Sequence, residues 1–180
     1  MPADPNQTDR IIRYIATEPG NVFVGMGRSK MSMITKEDGT LFFDANYKFQ
    51  AGVGDWLRVG NDATIITYGA VVPAVMEAWE MLKKDGHSVA VLNMGSLMPI
   101  DKEAVLKAAD SGVILTVEDH HVDTGLGSMV GTILAEAGKG INFQRAGVAQ
   151  YGGSGKPADL YAIQGLDGKS IAEKVKTMLG

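Results

Sequence analysis

The densest run of side chains able to do chemistry is Glu118-Asp119-His120-His121, followed by Asp123 and by the glycines Gly125 and Gly127. Carboxylates and imidazoles this close could ligate a divalent metal, and glycines opening a helix could cradle a phosphate. Successive residues of an extended segment point to opposite sides, so at most two of the four could share one ligand. Gly125-Leu126-Gly127 has neither the full dinucleotide glycine spacing nor a Walker lysine. A third reading is structural: a strand-end turn whose carboxylates and imidazoles hydrogen-bond the next helix or a neighbouring subunit, and the residue types favour it.

A second candidate is Arg28, within Gly25-Met26-Gly27-Arg28-Ser29-Lys30. Its guanidinium could clamp a phosphate or carboxylate bidentately, with the flanking glycines letting backbone approach the ligand. Taken alone, the pattern favours a solvated arginine in a turn. Tyr151-Gly152-Gly153-Ser154-Gly155-Lys156 has the wrong spacing for a Walker loop and reads as a turn before a helix at Pro157.

These residues need a scaffold, and from Asn61 onward the chain alternates strand and helix. Strands are expected over 63–67, 88–92, 113–117 and 142–148. Helices are expected over 71–84, 102–109, from Leu126 to the Gly138-Lys139-Gly140 stop, and over 171–179, each with one apolar stripe. Pro73 suits a first helical turn. The result is a three-layer α/β/α fold with a mainly parallel sheet of about five strands and its functional edge at the strand carboxyl ends: Tyr68-Gly69, Asn93-Met94-Gly95 and Glu118-Asp119-His120. Upstream, Ile11, Ile12 and Ile15 mark a helix over 8–17, Val22-Phe23-Val24 reads as a short strand, and residues 31–61 are irregular with one or two edge strands.

The 180 residues carry 17 Lys and Arg against 21 Asp and Glu, which leaves no basic surplus for nucleic acid. With no cysteine there is no disulfide, thiolate metal site or cysteine nucleophile, and the default compartment is cytoplasmic. The start, Met1-Pro2-Ala3-Asp4, has neither the basic nor the apolar part of a secretory signal, and no apolar run reaches membrane-spanning length.

The order of several pieces resembles the carboxy-terminal region of the transketolase family. They are Phe23-Val24-Gly25-Met26-Gly27-Arg28-Ser29-Lys30, residues 60–69, Asn93-Met94-Gly95-Ser96-Leu97-Met98-Pro99-Ile100-Asp101, Thr116-Val117-Glu118-Asp119-His120 with Gly125-Leu126-Gly127-Ser128, and residues 151–157 with Leu160-Tyr161. The resemblance implies three parts: 1–30, the tail of a pyrimidine-binding domain; 31–57, a linker; and 58–180, a transketolase C-terminal-like domain. The first part would then lack the sheet it normally packs on, and is expected to be disordered or displaced.

For the complete enzyme the resemblance implies thiamine diphosphate with magnesium or calcium, and transfer of a two-carbon ketol unit between sugar phosphates, with the cofactor as electron sink. Holding of the cofactor and metal would lie in other domains, so this chain alone is expected to bind no cofactor and to be inactive. Arg28 matches a family arginine that contacts the substrate phosphate, although Gly27 departs from the residue the family often has before it. The implied partners are the remaining domains or a separate N-terminal subunit, in a homodimer. Two alternatives stand beside this: a partner-docking domain of a 2-oxoacid dehydrogenase subunit, or a free-standing small-ligand binder with an apolar crevice near Gly69, Gly95 and Glu118.

Overall fold

Residues 63–67 and 89–93 are buried at every position, which a strand achieves only when both faces of its sheet are covered. The computed structural model describes residues 1–27 and 30–180. Strands β1 (Asp55–Arg58), β2 (Ala63–Thr67), β3 (Val89–Asn93), β4 (Val113–His121) and β5 (Asn142–Val148) form one sheet in the order β1-β3-β2-β4-β5. β1 is an antiparallel edge strand, and the other pairings are parallel.

The two-residue period of the strands sorts their side chains into two cores. Ile65, Val91, Leu115 and Val117 meet Val75, Trp79 and Leu82 of α2 (Val72–Lys84) and Ile171 and Val175 of α6 (Gly168–Leu179). Ile66, Leu92 and Ile114 face the other way, against Val105 of α3 (Lys102–Ala108) and Leu126, Val130 and Leu134 of α4 (Leu126–Glu136). Local chemistry sets the helix ends. Pro73 stands in the first turn of α2 and two lysines in its last, where they face the negative end of the helix dipole. Asp101 Oδ1 accepts from Ala104 N at 2.9 Å to cap α3, and Gly112, at φ 72°, turns the chain into β4 through the left-handed region. A further helix, α5 (Pro157–Gln164), follows the glycine-rich turn with no buried residue of its own.

Three readings of the sequence need correction. The first helix, α1, runs Pro5–Ile15 rather than 8–17, because Asp4 caps it and Pro5 fits its first turn. Residues 22–24 form no strand, and Phe23 is 95% exposed. Three residues of strand propensity stay unpaired when no neighbouring edge supplies backbone partners. Finally, 118–121 is not a turn but the end of β4, which runs four residues past its pairing with β2 at Val117 and rejoins β5 at His121 opposite Val148.

The first residues are packed rather than disordered in this structure: Ala3, Asp4, Gln7 and Ile11 are buried. Residues 31–57 contribute Ile34, Phe43 and Leu57 to the core on the α2 face. No helix among the described residues is long and apolar enough to cross a membrane.

Leu82 lies fully buried between α2 and the sheet. Leu82→Ala is expected to cost about 2–5 kcal/mol of stability, by the lost transfer energy and the cavity left behind. Urea unfolding should show this as a lower midpoint with an unchanged slope.

Candidate functional site

The carboxyl ends of β2, β3 and β4 collect the polar residues, and each of the candidates there is held by a separate partner. Glu118 is fully buried, and its two oxygens accept from Leu126 N at 2.7 Å and Gly127 N at 2.8 Å, the first turn of α4. The carboxylate thus occupies the positive end of the helix, where an external anion would otherwise sit. The glycines permit this fit: a Cβ on Gly125 would run into the Glu118 carboxylate, and one on Gly127 would come within 2.8 Å of Thr116 Oγ1. Burial and the adjacent Glu118 carboxylate push the Tyr68 phenol up to about 12, so it stays a protonated donor.

The other members of the run diverge, as alternation along a strand requires. Asp119 Oδ2 accepts from the Tyr161 hydroxyl of α5 at 2.8 Å, and burial with that carboxylate raises the phenol well above its ordinary value. His120 Nε2 lies 3.2 Å from Thr124 Oγ1, while His121 Nδ1 accepts from Asp123 N at 3.3 Å. Among the described residues no three His, Asp or Glu side chains come together as a metal site. The structural reading of this run is the one the geometry follows: one carboxylate ties down the next helix.

Beside β4 a cleft of about 470 Å³ opens between Gly27, Met31, Ala70, Asp119, Val148, Gly153 and Tyr161. It takes in the ends of β4 and β5 and the start of the turn after β2, but not Gly95. There Gln7 and Phe49 fill the space, within 3.0 and 3.2 Å of where a Cβ would be. The sequence candidate Arg28 lies outside the described residues.

A second polar cluster had no signal in the sequence. Asp55, at the start of β1, stands opposite Asn93 at the end of β3. Its Oδ2 accepts from Gln7 Nε2 at 2.9 Å, Tyr47 Oη at 3.1 Å and Asn93 Nδ2 at 3.1 Å. The four residues come from α1, the irregular segment and two strands, so no spacing in the chain relates them. Burial raises the Asp55 carboxyl to about 6 in spite of these donors, and burial together with Asp55 raises the Tyr47 phenol further from its ordinary value.

With this geometry in hand, the comparisons with known proteins place the chain. Residues 52–171 match the family described as transketolase, C-terminal domain. A putative transketolase C-terminal section from Methanocaldococcus jannaschii is 37% identical over 97% of this chain and 53% of its own length. An apulose-4-phosphate transketolase subunit from Actinobacillus succinogenes is 30% identical over 96% of this chain and 54% of its own. A solved structure of a split-gene transketolase, an inactive tetramer, superposes with a TM-score of 0.88 at 32% identity, over 99% of this chain and 56% of that one. The chain belongs to the transketolase C-terminal domain family. It spans about half the length of each of these three relatives.

Glu118→Ala would leave two buried N–H groups of α4 without an acceptor and is expected to cost about 2–4 kcal/mol. Glu118→Gln should cost less but still destabilise, because its amide can accept only one of them. A thermal unfolding series of wild type, Gln and Ala that failed to fall in that order would contradict this role.

Asp55 gives a pH signature. Its folded carboxyl titrates at about 6 against an ordinary value of about 4 in the unfolded chain, so between those values the folded state keeps a proton the unfolded state has lost. Stability from this group is therefore full below pH ~4, falls by about 3 kcal/mol as pH rises to ~6, and is flat above. Asp55→Asn can place its amide oxygen where the three donors meet and does not titrate. Relative to this variant, wild type should lose stability across that window, as read by denaturant unfolding at each pH.

Proposed function

We propose that this chain is the carboxy-terminal part of a thiamine-diphosphate-dependent transketolase, moving a two-carbon ketol unit between sugar phosphates and completed by other domains or by a separate N-terminal subunit. The observation that carries this is one of coverage: the resemblance runs over nearly all of the chain, yet reaches only about half of relatives named as a section, a subunit and a split gene product. A homodimer of complete enzymes is the assembly we expect.

Within that reading, residues 1–30 are the tail of the pyrimidine-binding domain, 31–57 the linker and 58–180 the C-terminal-like domain. The unpaired, exposed Val22 and Phe23 support it, since they would gain a sheet edge from the remaining domains of the enzyme. A cation bound to a diphosphate needs oxygen ligands converging on one point. We assign the holding of cofactor and metal to the remaining domains, as the family resemblance implies. This chain would supply Arg28, whose guanidinium would take the substrate phosphate.

The test is reconstitution. Ketol transfer should appear when this chain is combined with the remaining half and be absent with this chain alone, and calorimetry should find no saturable binding of thiamine diphosphate by this chain at micromolar concentration. In the reconstituted enzyme Arg28→Ala should lower kcat/KM for phosphorylated sugars roughly 10- to 100-fold, the worth of a hydrogen bond to a charged group, and leave unphosphorylated analogues almost unaffected. Ketol transfer by the isolated chain, or tight cofactor binding to it, would overturn the proposal.

A further inference from the structure

We infer that α5 is a hinged lid over the cleft beside β4, latched by one hydrogen bond between Tyr161 and Asp119.

A surface helix ordinarily takes its place from an apolar stripe set into the core. No residue of 149–165 is buried, so α5 has no such anchor. Leu160 and Tyr161 are half-buried, and Ile163 is 76% exposed. Among the described residues, a single hydrogen bond joins 149–165 to the body of the molecule, from Tyr161 Oη to Asp119 Oδ2 at 2.8 Å.

The two ends of the stretch are fixed, because Val148 pairs with His121 in the sheet and Leu166 is fully buried. Between them the backbone is soft. A Cβ on Gly152 would meet nothing, and those on Gly153 and Gly155 would meet only Leu160 of α5 itself. At the other stem Gly165 closes the helix at φ 69°, in the left-handed region. A segment with glycine stems, no side chain in the core and one tie opens at a far smaller free energy than the sheet does.

What α5 covers is the crevice where the sheet's connections diverge. α2 follows β2 onto one face and α4 follows β4 onto the other, and in open α/β sheets this divergence leaves a crevice at the strand carboxyl ends. Ala70, Asp119 and Val148 form the wall that belongs to the sheet and its turns, while Leu160, Tyr161 and Gln164 form the wall carried by α5. Outward movement of α5 removes the second wall and exposes the first. The latch therefore sets access to the crevice.

The chain has no cysteine, so Val148→Cys places a single reporter thiol in the cleft. Its rate of reaction with dithionitrobenzoate is compared with that of a control thiol, Thr177→Cys, on the exposed side of α6. The cleft thiol should react at least roughly ten-fold more slowly than the control. Adding Tyr161→Phe, which removes only the hydroxyl, should speed the cleft thiol roughly five- to ten-fold, as the loss of one partly exposed hydrogen bond implies, and leave the control unchanged. Asp119→Ala on top of Tyr161→Phe should add little. Hydrogen exchange should quicken over 157–164 in Tyr161→Phe while α2, α4 and α6 keep their protection. A cleft thiol as reactive as the control, or α5 amides as protected as those of α4 and α6 in the unaltered chain, would show that α5 is no lid. If Tyr161→Phe moves neither readout, or speeds exchange in every helix together, the bond to Asp119 is not a latch and the inference fails.

Discussion

Burial of β2 and β3 on both faces is the constraint from which the rest of this structure follows. A strand with no wet face cannot carry polar chemistry along its length, because an unpaired polar group there would forfeit its hydration without return. The two apolar cores, α2 with α6 on one side and α3 with α4 on the other, therefore push every ionisable candidate to the strand ends. Of the buried polar residues in the sheet, Arg58, Thr67 and Asn93 end their strands, while Thr64, Thr116 and Glu118 lie inside theirs.

At the carboxyl edge two buried carboxylates act on the backbone rather than on a ligand. Glu118 closes the start of α4, and Asp4 joins the start of α1 to the backbone of Ile34. Each takes two N–H groups that would otherwise be orphaned, which accounts for acidic side chains lying fully buried. A third, Asp55, gathers three side-chain donors on one oxygen, and its depth in the protein holds its proton to unusually high pH for an aspartate. The amino-terminal helix is thereby built into the same body as the sheet. The family match begins only at residue 52, but buried contacts reach back to residue 3.

Much of the scaffold was legible beforehand. The continuous apolar runs of β2 and β3 and the helical stripes of α2 and α4 have periods that only one arrangement satisfies, and the strand expected over 142–148 was found with those bounds. Legibility failed where pairing decided the outcome. Val22-Phe23-Val24 has the composition of a strand but lies beside no edge, and Glu118-Asp119-His120-His121 has the composition of a turn but continues β4 because β5 offers a partner at Val148. Arg28 falls outside the described residues.

Order along the chain, charge balance and hydrophobic period are local quantities, and they determined the layered α/β class, the number of strands and the family. The contacts of Asp4 with Ile34, of Gln7 with Asn93 and of Asp55 with Tyr47 join residues with no periodic relation, separated by as many as 86 positions. Such contacts exist only once the sheet has brought distant segments to one edge. Which carboxylates are buried, what they hold and how readily they lose a proton were therefore decided by the tertiary structure alone, because desolvation and hydrogen-bond partners are properties of a place in space and not of a residue's neighbours in the chain.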